Sequence, residues 1–162
     1  EPGFGGGVHW LVRPGSRGPA LIGNTIAGNQ ADAGAGIYAD GDDAGARIIN
    51  NLVLAPKGRS AIECGDYSDL LPPIVRNNNA VSGSGAYAGL CEPAAASGAN
   101  LSRPPLFIAG TWQLAPGSPG IDAGEAAVVG ETLDLAGNPR LCGIDDVLGL
   151  AVDIGAFEFC GR

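Results

Sequence analysis

Three segments of this chain repeat one pattern at nearly constant spacing. Ile22-Gly23-Asn24-Thr25-Ile26, Ile49-Asn50-Asn51-Leu52-Val53 and Asn77-Asn78-Asn79-Ala80-Val81 align on Asn24, Asn51 and Asn79, which lie 27 and 28 residues apart. Two residues after each Asn stands a β-branched aliphatic (Ile26, Val53, Val81), the alternation of a strand with one buried face. A Gly-rich bend then leads to a second short strand: Gly36-Ile37-Tyr38, Ala61-Ile62-Glu63 and Ala86-Tyr87-Ala88. An earlier copy of that strand reads Gly5-Gly6-Gly7-Val8-His9-Trp10, with Trp10 in the place of Tyr38.

A hairpin array would need two-residue turns and shorter strand spacing than this. One repeat per turn of a coil satisfies the pattern, with equivalent strands stacked in parallel about 4.8 Å apart. The expected fold is therefore all-β: a right-handed parallel β-helix of about four rungs of 27 residues. Asn24, Asn51 and Asn79 then form a structural ladder at one corner, their amides bonding along the axis. The cysteines agree. Cys64 and Cys91 are also 27 residues apart, so adjacent rungs place them within disulfide reach. Cys142 and Cys160 remain as the second pair. None of the four stands in a CxxC arrangement, and an even count without metal spacing favours disulfides and an oxidising compartment.

Composition narrows the class. The 28 Gly and 12 Pro oppose helix interiors, while 45% apolar residues supply a core. Net charge is −8, and Lys57 is the only lysine. So few basic residues leave no phosphate-binding footprint, which excludes nucleic acid as the expected partner. No apolar run is long enough to span a bilayer, so no membrane insertion is expected. The repeats occupy residues 1–110, with residues 92–100 as a linker and Leu106-Phe107-Ile108 as a last strand. Residues 111–162 form an irregular segment expected to cover the last rung, because a solenoid must shield its terminal strand edges.

That segment carries ordered motifs. Leu114-Ala115-Pro116-Gly117-Ser118-Pro119-Gly120-Ile121-Asp122-Ala123-Gly124 is followed by Asp134-Leu135-Ala136-Gly137-Asn138-Pro139-Arg140, then by Val152-Asp153-Ile154-Gly155-Ala156-Phe157-Glu158. Over residues 111–158 it resembles the choice-of-anchor ends of bacterial secreted right-handed β-helix proteins. Residues 5–91 resemble, less specifically, repeats of the pectate-lyase-like superfamily. The resemblance implies a surface module in which Asp122, Asp134, Arg140, Asp153 and Glu158 hold the cap together, Arg140 bridging carboxylates. The competing reading makes Arg140 and these carboxylates an acid/base site, as in pectin-processing enzymes of that superfamily.

Other candidate chemistry is sparse. His9 is the only histidine, which precludes a His-rich metal cluster. Asp40, Asp42 and Asp43 form an acidic loop that is a candidate calcium site, though its spacing matches no EF-hand; no other cofactor is expected. Arg47, Arg59 and Arg76 do not follow the repeat spacing, as a lyase base accompanied by an acidic cluster would. Trp10, Tyr38 and Tyr87 form a sugar-stacking stripe if they face outward.

The expectation is a non-catalytic extracellular or cell-surface module, structural or adhesive. Its partners are further copies or other surface proteins, and an uncovered first rung implies head-to-tail fibre assembly or a longer coil. The alternative is a polysaccharide-binding or polysaccharide-cleaving β-helix.

Overall fold

Runs of three or four apolar and β-branched residues, each closed by a bend, build the strands. In the computed structural model, which describes residues 3–41, 45–66, 71–83, 85–142 and 151–161, ten strands are seen. They are β1 (Val8–Leu11), β2 (Ala20–Ile22), β3 (Thr25–Ala27), β4 (Ile37–Asp40), β5 (Arg47–Ile49), β6 (Leu52–Leu54), β7 (Ile62–Cys64), β8 (Ile74–Arg76), β9 (Asn79–Val81) and β10 (Tyr87–Gly89). A six-residue helix, α1 (Cys91–Ala96), follows β10.

Every strand pairs in parallel with the strand three places along, giving sheets β1-β4-β7-β10, β2-β5-β8 and β3-β6-β9. The fold is all-β, with three stacked parallel sheets, consistent with a parallel β-solenoid. Successive strands such as β1, β2 and β3 form one layer, and the next three the layer below. Inward side chains meet in the middle: Ile37, Ile48, Val53, Ile62, Val75 and Ala80 are buried together. Each fully buried Ile or Val contributes about 1.5–3 kcal/mol relative to exposure. The register is strict because a one-residue slip would turn this set outward.

Two registers differ from the sequence expectation by one residue. Val8 pairs with Ile37 and His9 with Tyr38, so Trp10 is equivalent to Ala39 rather than to Tyr38. Burial decides this: Trp10 packs against the core, while His9 is exposed. At the corner, Leu52 pairs with Asn79, so Asn78 and not Asn79 is the counterpart of Asn51.

The linker expected at residues 92–100 is also ordered. Glu92-Pro93-Ala94-Ala95-Ala96 forms most of α1, which packs against β7, β8 and β10 with Cys91 and Ala95 in the core. Helix-forming Ala and Glu, with Pro in the first turn, favour this outcome. Leu106-Phe107-Ile108 does not add a layer to the coil. Phe107 makes an antiparallel bridge with Leu114, and the turn between them packs Phe107 and Leu114 near Leu52 and Leu54. Both predicted disulfides are present, Cys64–Cys91 with Cα atoms 5.0 Å apart and Cys142–Cys160 with 5.2 Å.

Candidate functional site

The corner between the second and third strand of each layer is built from two residues. The first has a left-handed backbone: Gly23 (φ 65°), Asn50 (φ 58°), Asn77 (φ 52°) and Ala99 (φ 52°). Each is followed by an Asn: Asn24, Asn51, Asn78 and Asn100. Gly and Asn tolerate positive φ best, which explains three of these corners; Ala99 is the strained exception.

The four Asn residues form a directional ladder. The backbone N–H and Nδ2 of Asn24 donate to Oδ1 of Asn51 at 3.0 and 2.9 Å. Asn51 donates in the same way to Asn78, and Asn78 to Asn100. Each lower Nδ2 also reaches carbonyl groups, as Asn51 does to Leu21 and Ile49. Buried amides so fully paired make the corner rigid. Asn79 has another role: its side chain exchanges hydrogen bonds with the backbone of Arg103.

The C-terminal segment does not rest on the last layer alone. It runs beside these corners across several layers. Asn77 Nδ2 donates to the Ala123 carbonyl. Asn50 donates to the Glu125 carbonyl and accepts from the Glu125 N–H, while Gly155 N–H donates to the Asn50 carbonyl. In the first layer, Ala156 N–H donates to Thr25 Oγ1 at 3.0 Å. Arg76 and Glu125 add a two-pronged ion pair, with closest contacts of 2.6 and 2.9 Å.

The charged residues expected in the cap converge at one place. Arg140 Nη1 lies 3.0 Å from Glu158 Oε1, both side chains buried, and donates to the Gly155 carbonyl. Both Glu158 carboxylate oxygens accept from the Asp153 N–H. Asp153 in turn accepts from the N–H groups of Asp122 and Phe159. Asp134 accepts from the N–H groups of Ala136, Asn138 and Glu158 and from the Asn138 amide. Asp122 joins through its backbone N–H, at φ 54°.

One guanidinium thus serves two carboxylates, Glu158 directly and Asp153 beside it. Burial, and then the neighbouring Asp153, push Glu158 up to about 8. Burial pushes Asp153 up to about 6, against the hydrogen bonds that favour its charged form. Asp134 is also penalised by burial, but its four hydrogen bonds outweigh this and leave it below the ordinary Asp value. The arrangement clamps backbone N–H groups.

Beside this cluster lies a groove of about 520 Å³, bounded by Val8, Leu21, Asn24, Leu133, Leu135 and Arg140 among others. Leu133 and Leu135 on its wall are 55% and 75% exposed.

The remaining candidates are scattered. Asp42 and Asp43 lie outside the described residues; Asp40 Oδ1 accepts from the Gly41 N–H. Arg59 pairs with exposed Asp32 at 2.9 Å, Arg76 pairs with Glu125, and Arg47 lies on β5. Tyr87 packs inward on the core, and burial raises its hydroxyl pKa. On the outer face of β1 and β4, Tyr38 meets Phe4 and His9 at ring-centroid distances of 4.9 and 5.5 Å.

Sequence reasoning missed Gly23, Asn50, Asn77, Asn78, Asn100 and Glu125. The signal was present as Gly-Asn, Asn-Asn, Asn-Asn and Ala-Asn pairs at residues 23–24, 50–51, 77–78 and 99–100. The triple Asn77-Asn78-Asn79 offers two registers, and only packing selects between them. Comparison of the chain with protein-family models, with curated proteins and with solved structures finds no match.

Proposed function

We propose that this chain is a right-handed parallel β-helix of about four 27-residue rungs, with a choice-of-anchor-type C-terminal segment in the manner of pectate-lyase-like secreted proteins. It serves as a non-catalytic structural or adhesive module at a cell surface, assembling with further copies or other surface proteins. The observation that carries this reading is the use made of the charged cluster. Asp134, Asp153 and Glu158 accept from backbone N–H groups and Arg140 holds Glu158 and Gly155, so the groups an acid/base site would need are engaged in fastening the segment. Two disulfides suit an oxidising, non-cytoplasmic compartment. Electron microscopy of the purified protein tests this: end-to-end particles or filaments are expected. Dispersed single particles together with cleavage of an acidic polysaccharide would overturn it.

A second reading, polysaccharide binding, is favoured by the outward rings of Phe4, His9 and Tyr38, with Tyr38 close to the carboxylates of Asp40, Glu63 and Asp66. Aromatic faces edged by hydrogen-bonding groups are suited to sugars. Retardation in polysaccharide-containing gels, abolished by Tyr38→Ala, is its expected signature.

A further inference from the structure

The sheet β1-β4-β7-β10 turns a distinctive surface outward. Its register sets His9, Tyr38, Glu63 and Ala88 in one outward row, and Leu11 beside Asp40 in a second. None of these four strands carries Lys or Arg. Successive layers are about 4.8 Å apart, so the row is long enough for an extended ligand. β4 and β7 are each paired on both sides, so the centre of this face stays outward whatever adjoins the first layer.

Tyr38 stands at that centre. Phe4 and His9 meet its ring at 4.9 and 5.5 Å, and Phe4 and Leu11 are each 48% exposed. Glu63 Oε2 accepts from Ser60 Oγ and from the Gly34 N–H, which fixes the carboxylate. Its Oε1 has no partner among the described residues. A Cβ on Gly65 would stand 2.5 Å from the Tyr38 hydroxyl and 2.6 Å from Asp40 Oδ1, so both groups occupy the space of an absent side chain. Burial, and then the charges of Asp40, Glu63 and Asp66, raise the Tyr38 hydroxyl pKa, which marks a negative potential at the ring. Among the described residues no three His, Cys, Asp or Glu side chains stand close enough to hold a metal ion. The carboxylates are instead spread around an aromatic surface.

We propose that this face binds an amino-sugar polymer, its rings lying on the Phe4–Tyr38 patch and its ammonium groups among Asp40, Glu63 and Asp66. This rests on the polysaccharide reading given above and names the sugar class. An aromatic ring offers an apolar face to the C–H side of a sugar and attracts an ammonium through its quadrupole. Charge decides between sugars: with no basic strand residue to offset them, the three carboxylates repel a uronate chain and draw a cationic one. A second copy is disfavoured in the same way, since the chain has 17 acidic residues against 9 basic. A basic peptide lacks its usual anchorage here. Extended peptides dock by main-chain pairing at a sheet edge, and on this face the strand backbones are already paired with one another.

The test is isothermal titration calorimetry of the intact protein with glucosamine oligomers, in buffer that keeps their amines protonated, beside N-acetylated oligomers and oligogalacturonate. The amine form should bind, with both comparators about tenfold weaker or more. Binding should weaken with added salt and be lost in Tyr38→Ala. Asp66→Asn, at an exposed position, should weaken it severalfold with an unchanged melting temperature. Gly65→Ala should weaken it by displacing the Tyr38 hydroxyl and the Asp40 carboxylate. Binding undiminished in both Tyr38→Ala and Asp66→Asn overturns the site. Neutral or uronate oligomers that bind as tightly as the amine, and are lost in Tyr38→Ala, overturn the sugar class and leave the polysaccharide reading standing. Tighter binding of oligolysine than of glucosamine oligomers overturns the proposal in favour of a basic peptide. No binding of any of the three sugars overturns both the proposal and the reading beneath it.

Discussion

Arg140 reaches across the fold to Glu158 at 3.0 Å, both side chains nearly closed to solvent, and its other terminal nitrogen stands against Gly23 at the first corner of the coil. A Cβ on Gly23 would lie 3.1 Å from Arg140 Nη2. One side chain therefore joins the end of the chain to its beginning.

Removing it should be costly. Above about pH 8, where Glu158 and Asp153 are both ionised, Arg140→Met leaves them without their counter-charge, which typically destabilises by about 3–5 kcal/mol. Urea unfolding would show this as a lower midpoint. A change of under about 1 kcal/mol would mean that the pair is solvated as a surface bridge is.

Gly23→Ala tests the same contact from the other side. The left-handed backbone disfavours any β-carbon by about 1–2 kcal/mol, and the new methyl must displace the guanidinium. Gly28, also at positive φ but with open space around it, is the control: Gly28→Ala should show the backbone cost alone. Thermal melts of the two variants separate the contributions.

Asn78 and Asn79 differ sharply despite being neighbours. Asn78→Ala removes the acceptor used by Asn51 and the amide donors to Ile48, Arg76 and Asn100. Leaving buried groups unsatisfied costs about 1–3 kcal/mol each, so Asn78→Ala should destabilise by several kcal/mol, with losses that need not add. Asn79→Ala loses only the exchange with Arg103 and should cost less. The opposite order in chemical denaturation would contradict the register.

Stability should fall as pH rises through the neutral range. Glu158 moves from 4.5 to about 8, and Asp153 from 3.8 to about 6. The folded chain therefore binds these protons more tightly than the unfolded one. Their stabilising effect is complete below about pH 4 and is lost as pH climbs toward 8. Asp134, shifted downward, acts oppositely and weakens the fold only below its ordinary value. Maximum stability is thus expected in mildly acid solution, and Glu158→Gln should flatten the decline between pH 5 and 8, the span those two shifts define. Melting temperatures across pH 3 to 9, which bracket both values, measure both effects.

The Cys64–Cys91 bridge closes one layer onto the next across 27 residues. In the chain-entropy account, a loop of this size stabilises by about 3–4 kcal/mol. The double variant Cys64→Ala, Cys91→Ala should lower the denaturation midpoint accordingly while keeping the parallel pairing, since both positions face a core that Ala can occupy.

Much of the coil was legible because its physics is local and periodic. The spacing of Asn24 and Asn51 and the matching spacing of Cys64 and Cys91 report one layer-to-layer offset, so parallel stacking and the disulfide could both be read from counting. The apolar residues at Ile37, Ile48, Val53 and Ile62 set which face turns inward. Counting failed where two adjacent residues satisfied it equally. Asn78 and Asn79 could each be the ladder residue, and His9 or Trp10 could each match Tyr38; burial of one neighbour and exposure of the other broke the tie.

What the sequence determined by itself is the repeating part: parallel strands, an amide ladder at one corner, and a first disulfide that follows from the period. Only tertiary structure decided where the aperiodic C-terminal third lies. Its Asp, Arg and Glu residues carry no spacing that points to a partner, and the meeting of the segment's backbone and side chains with Gly23, Thr25, Asn50 and Asn77 depends on contacts up to 131 residues apart in the chain. Such contacts follow from the shape of the assembled coil, which exists only after the repeats have stacked.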